Sequence, residues 1–365
     1  MRVFVALVLV LLLAAGAAAG FLWYSIEKPY GTIPAEGVFV QIPHGASRRA
    51  AAHILKENGI VRSAIAFEIY ARRHPKRTPV AGEYFFDHPL TGKEVFWKLA
   101  NGEVYYQQFT VREGDTIFDI AQNLESAKLM KAADFAKAAG DPALVRDIAP
   151  DAKSLEGFLF PATYNLQRHA APADLAAMLV RKFRETLQKA APDKLDPLIP
   201  GTPLLSVVTL ASLVEAETPK PDERPVVAGV YTNRLRKRML LQCDPTVIYA
   251  LKQADQYKPP LTLKDLRYDS PYNTYEHRGL PPGPIGNPGE SAIRAALAPA
   301  QTDFLYFVAN TQGGHFFAAT LAEHNKNVAK YHRLLNGEPA EPPVTEARHS
   351  HAHKRAARSA QKGKR

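Results

Sequence analysis

Residues Leu204 to Thr218 read LLSVVTLASLVEAET, a nearly all-apolar run that ends in two carboxylates, Glu215 and Glu217. A helix that is apolar on every side is a buried helix, so the carboxylates at its end are partly desolvated. Desolvation disfavours the charged carboxylate and raises its pKa, as a general acid working near neutral pH requires. At 3.6 residues per turn the two side chains point roughly 200° apart, so only one can face a given cleft. Glu215 shares its stripe with Ala211, Val208 and Leu204, and Glu217 shares one with Leu213, Leu210 and Ser206. Periodicity does not choose between them.

Downstream lie polar groups set in turn-forming sequence: Asn233-Arg234-Leu235, Leu241 to Val247 (LQCDPTV), Ser270 to Tyr275 (SPYNTY) and Gly279 to Gly289 (GLPPGPIGNPG). Rigid loops dense in Tyr, Asn and Gln suit sugars, whose hydroxyls need neutral donors and acceptors and whose faces stack on aromatic rings. Each such residue taken singly also reads as a turn or a cap.

Upstream, Val38 to Ile42 alternates like a strand, Pro43 to Ser47 reads as a turn ending in a helix cap, and helices follow at about 47–58 and 63–73. Gly82 to Phe86 supplies another strand and Gly92 to Asn101 a helix, so 38–105 can close a small α+β module similar to the glycan-binding LysM type. A strand, helix, helix order recurs near 107–140, as in a weak internal repeat. The module reads equally as a spacer that holds the next domain above a membrane.

That membrane is implied by the N-terminus. From Val3 to Tyr24 there are 22 residues without a charge, about 33 Å as a helix and enough to span a bilayer. Arg2 precedes the run, Trp23 and Tyr24 sit at its far edge, and Glu27 and Lys28 follow. A cleaved signal peptide is the rival reading. The apolar run continues past the small residues Ala14 to Gly20, which favours an uncleaved anchor spanning 1–28 with its short cytoplasmic end.

The 365 residues are 46% hydrophobic and 22% charged, enough for a sizeable core and more than one domain. Seven Lys/Arg fall between Arg348 and Arg365 with no Asp or Glu; removing them from the net charge of +10 leaves about +3 for the rest. That is too little to argue for a phosphate-binding surface. The stretch 337–365 lacks hydrophobic periodicity and is expected to be a disordered basic tail, in which His349, His351 and His353 make no metal site. Cys243 is the only cysteine, which excludes an intrachain disulfide, a multi-cysteine zinc site and a redox pair.

The motifs ASLVEAET, NRL, LQCDPTVIYA, SPYNTYEHRGLPPGPIGNPGESAIRAAL and YFVANTQGGHFFAATLAEHNK, preceded by LEGFLFPATYNL at Leu155 to Leu166, resemble those of the YceG-like family of endolytic murein transglycosylases. The resemblance implies an α+β catalytic domain over 106–336 behind the anchor and the LysM-like module. It implies Glu215 as acid/base, with Glu156, Gln242, Asp244, Asn273, Tyr275 and Asn287 lining or bracing the cleft. Ala162 stands where the family often has an acidic residue. It also implies a protein of the bacterial inner (cytoplasmic) membrane with its catalytic domain outside the cytoplasm. The substrate would be peptidoglycan glycan strands, with glycan-polymerising synthases as partners and no metal or cofactor. Two other classes fit the residues: a non-catalytic glycan-binding scaffold, and a hydrolytic muramidase with Asp244 or Glu217 as second carboxylate.

Overall fold

The computed structural model describes residues 1–190 and 203–337. The expected basic tail beyond 337 lies outside the described residues. The chain divides into two compact units. The first comprises Met1–Phe109 with Tyr164–Ala170, and the second comprises Thr110–Thr163 with Ala171–Arg365.

The first unit starts with α1 (Arg2–Glu27), whose residues are exposed until Ser25 and Ile26, which are buried. The strand β1 (Val38–Ile42) leads to α2 (Arg48–Glu57), started by the Ser47 side chain, and α3 (Ala64–Arg72), started by Ser63. Strand β2 (Gly82–Phe86) returns antiparallel to β1, pairing Val40 with Tyr84 and Ile42 with Gly82. Helix α4 (Gly92–Ala100) then opens with a capping box of Thr91 and Glu94. The alternation expected from the sequence sends Val40, Ile42, Tyr84 and Phe86 inward, where they meet Leu55, Phe67, Phe96 and Leu99. Phe39 and Phe85 face the other way, where Tyr105 meets Phe39 edge to face and Arg168 lies over the Phe39 ring.

Strand β3 (Gln107–Thr110) pairs with β4 (Thr163–Leu166). Between them come α5 (Ile117–Ser126) and α6 (Ala132–Ala139), so the strand, helix, helix order does recur. In the second unit α7 (Pro172–Ala190) is amphipathic and buries Leu175, Leu179, Phe183 and Leu187. Helix α8 (Leu204–Glu217) is the apolar run, and every residue from Val207 to Val214 is buried. Around it pack α9 (Arg224–Arg236), α10 (Asp244–Gln253) and α11 (Glu290–Leu297). The antiparallel hairpin of β5 (Tyr306–Ala309) and β6 (His315–Ala318) is followed by α12 (Leu321–Leu335).

Two of the segments expected as loops are helical. Asn233-Arg234-Leu235 closes α9, and Asp244-Pro245-Thr246 opens α10. The proline accounts for the second: its missing N–H costs nothing in a first helical turn and its fixed φ suits one.

Candidate active site

The end of α8 splits into two unlike environments. The Glu215 side chain is 6% exposed and forms a 2.5 Å ion pair with Arg224 of α9, itself 4% exposed. Its other oxygen accepts the backbone N–H of Gly289 at 2.9 Å, where α11 begins. Glu113 joins the same guanidinium at 3.3 Å. Burial pushes the Glu215 carboxyl up, while the Gly289 amide and the Arg224 charge pull it back. The knot thereby ties together α8, α9, α11 and the turn before α5.

Glu217 faces a cleft of about 430 Å³ whose walls include Arg234, Gln242, Asp244, Tyr275 and His324. The Tyr231 hydroxyl donates to its carboxyl at 2.7 Å, and the buried Cys243 thiol bonds to it as well. Burial is the largest influence on Glu217 and raises its pKa; the bonds from Cys243 and Tyr231 oppose the rise, and the nearby Asp244 charge adds to it. The group is a carboxyl biased toward its protonated form at the wall of a solvent-open cleft.

The cleft wall is set by backbone geometry. Gln242 has φ of 51°, a left-handed conformation that non-glycine residues seldom adopt. It is fixed there by its N–H to the Thr274 carbonyl (3.1 Å) and by the Cys243 N–H to the Thr274 hydroxyl (3.0 Å). Tyr275 donates a short hydrogen bond to Asp244. Arg234 is held in the cleft wall by the carbonyls of Leu305 (2.6 Å) and Leu241 (2.7 Å).

The remaining expected residues lie outside this cleft. Asn273 is fully buried; its amide donates to the carbonyls of Leu266 and Tyr268, and its oxygen accepts from Tyr275 N–H. Asn273 therefore shapes the loop that presents Tyr275. Asn287 is also fully buried, taking the Leu159 N–H and donating to Asp115 O and to Glu156. Glu156 accepts the Ile117 N–H at 3.1 Å and the Tyr249 hydroxyl at 3.2 Å. Burial carries its pKa from 4.5 up to about 8. Gly157 beside it has φ of +87°, and a Cβ there would come within 2.8 Å of both Pro284 and Val208. Glu156 and Asn287 thus bolt the LEGFLFP turn to the GNPG loop and to α8.

The model of the YceG-like family matches residues 40–330. The chain belongs to that family. A Bacillus subtilis (strain 168) protein named endolytic murein transglycosylase is 36% identical over 310 residues, which cover 80% of this chain and 84% of the relative. A protein of the same name from Streptococcus pneumoniae (serotype 2, strain D39) is 29% identical over 357 residues, covering 89% of this chain and 64% of the longer relative. The crystal structure of a yceG-like protein from Listeria monocytogenes is 32% identical and superposes with a TM-score of 0.53, covering 80% of this chain and 99% of that one. All the elements of the knot and the cleft fall within the stretch that the YceG-like model matches.

Sequence reading missed Arg224, Tyr231 and His315. The first two are seven residues apart on α9, one above the other, in a helix otherwise rich in small and apolar residues. That spacing was the available signal for a helix presenting a cation and a hydroxyl to the end of α8. His315 pairs with Glu223 at 2.7 Å, and only the fold brings it near Glu217.

Proposed function

We propose that this chain is a membrane-anchored lytic transglycosylase that cuts peptidoglycan glycan strands internally, with Glu217 rather than Glu215 as its acid/base. The observation that carries the reading is the cleft. Glu217 is its buried carboxyl with a raised pKa, whereas Glu215 is occupied by Arg224 and the start of α11. Names of the relatives from Bacillus subtilis and Streptococcus pneumoniae support the substrate class.

In the proposed reaction protonated Glu217 gives its proton to the bridging oxygen on the leaving side of N-acetylmuramic acid. The carboxylate then takes the proton of the C6 hydroxyl of the same sugar as that oxygen attacks C1. A 1,6-anhydro end results, and one carboxyl serves both proton transfers. Attack within one ring gains the advantage of proximity over a bimolecular step. The thiol and the phenol beside Glu217 are donors that stabilise the carboxylate once it has released its proton. Gln242, Tyr275 and Asp244 are placed to hold sugar hydroxyls, while Glu156, Asn273 and Asn287 brace the walls.

α1 is 26 residues long and apolar enough to cross a bilayer, which supports a single-pass anchor; the reading that the rest of the chain lies outside the cytoplasm rests on the murein named by the relatives. The β1–α2–α3–β2 order supports the LysM-like reading of 38–105, and 106–336 is the corresponding catalytic stretch. Tethering to the membrane favours newly made strands, so cleavage would limit strand growth beside the synthases that make them.

Asp244 in the same cleft supports a second reading, hydrolysis with water activated by Asp244. Mass spectrometry of peptidoglycan digested by the chain and by Glu217→Gln separates the readings. Anhydro ends that vanish in Glu217→Gln are expected; reducing ends would establish hydrolysis, and anhydro ends that persist in Glu217→Gln but vanish in Glu215→Gln would return the role to Glu215.

A further inference from the structure

Where α1 meets α3, the first unit carries a groove of about 310 Å³ that belongs to no part of the cleft. Its floor is apolar: Ala19, Leu22 and Ile26 come from α1, and Ala66 and Ile69 from α3. The lining of α3 follows one helical stripe that ends in Arg73. Ile65 on the same helix is 67% exposed beside it.

Between Arg62 and Arg77 the chain carries five cations, Arg62, Arg72, Arg73, Lys76 and Arg77, against the single acid Glu68, which is paired with Arg72 at 2.7 Å. Arg62 lies 4.7 Å over the rings of both Tyr24 and Tyr30, and Arg48 holds the turn at Pro75 and Arg77 by their carbonyls. Two of these cations are placed against α1, Arg62 over Tyr24 and Arg73 in the groove lining beside Trp23, where aromatic side chains favour a bilayer interface. The groove runs about 10 Å back along the helix from Ile26 to Ala19, at ~1.5 Å per residue, into the uncharged run.

The geometry points to a site for one anionic phospholipid, its acyl chain lying along Ala19, Leu22 and Ile69 and its phosphate at Arg73. The inference rests on α1 spanning the membrane. A zwitterionic lipid offers a phosphate whose charge is offset by its own ammonium, so the excess of cations over 62–77 favours a headgroup of net negative charge. Glu27 also lines the groove and opposes an anion, so the selection rests on Arg73 with the cations that follow it in the chain.

The test reconstitutes the full chain into nanodiscs of phosphatidylcholine with or without phosphatidylglycerol, releases it, and weighs retained lipid by native mass spectrometry. One phosphatidylglycerol retained in preference to phosphatidylcholine is expected. Retention should fall about fivefold in Arg73→Gln, the change that ~1 kcal/mol per cation near a lipid surface gives. Ile69→Trp, at a lining position that is 36% exposed, fills the groove without altering a charge and should also lose the lipid. Equal retention of both lipids, or retention unchanged in the two variants, overturns the proposal. Alkaline carbonate extraction from vesicles distinguishes the underlying reading. A chain that stays embedded but holds no lipid defeats the site alone, and a chain that washes out defeats the anchor and the site together.

Discussion

Two carboxylates two residues apart on α8 live in opposite worlds. The region around Glu215 is a closed knot in which a guanidinium, a backbone amide and a helix terminus consume its hydrogen-bonding capacity. The region around Glu217 is an open cleft in which the carboxyl meets two neutral donors and no arginine partner within bonding distance among the described residues. The difference teaches that burial by itself does not make an acid. Burial raises both groups, and what separates them is whether a fixed positive charge already answers the carboxylate.

The comparison breaks most sharply under exchange of each carboxylate for its amide. Glu217→Gln should abolish anhydro-end formation by about 10²–10⁴-fold, the range general acid–base catalysis supplies, while unfolding in denaturant is little changed. Glu215→Gln should do the reverse. Arg224 would be left buried with only the half-exposed Glu113 at 3.3 Å, which should cost about 3 kcal/mol of stability, the lower end of the range for breaking a buried pair, read from the denaturant midpoint, with activity per folded molecule falling far less. Equal loss of activity and stability in both variants would erase the distinction.

Tyr231→Phe sharpens it further. Removing the donor that lowers the Glu217 pKa should move the alkaline limb of the pH–rate profile upward and reduce the rate several-fold, since less stabilisation remains for the carboxylate. A limb that stays in place would deny Glu217 its role as the titrating acid.

The smallest effect concerns Glu156, whose pKa is about 8 in the fold and 4.5 as its ordinary value. Between those values the folded chain holds a proton that the unfolded chain has released, so stability falls as pH rises across the window. Glu156→Gln should flatten that slope in denaturation midpoints measured through the same range. An unchanged slope would assign the pH dependence to other groups.

Much of this architecture was legible in the sequence. The cap at Ser47 was legible, and Ser63 and Thr91 also start helices through their side chains, within a residue of the expected starts. Alternation decided β1 and β2 because one face of each is core. At the site, the apolar run of α8 announced that its terminal carboxylates would be buried, and the 200° between them announced that they would part company. Which face would be the cleft depended on α9 bringing Arg224 to Glu215 and Tyr231 to Glu217; their spacing hinted at a shared face of α9, and only the tertiary packing shows which carboxylate each one meets. The same limit explains Asn273 and Asn287. Their side chains suit sugar hydroxyls as well as they suit main-chain carbonyls, and only the fold shows that the carbonyls claim them.

The junction of α1 with the first unit has a consequence for how the chain is oriented. Ser25 and Ile26 are buried in that unit, and a Cβ at Gly92 would come within 3.3 Å of Ile26 and of the Ser25 carbonyl. The helix therefore enters the unit without a swivel. With α1 in a bilayer, each residue added to the helix before Ser25 would lift the unit by about 1.5 Å and turn it by about 100° around the helix axis. The phase of the anchor, counted in residues, then works as a compass bearing: it fixes which side of the first unit looks along the membrane toward its neighbours.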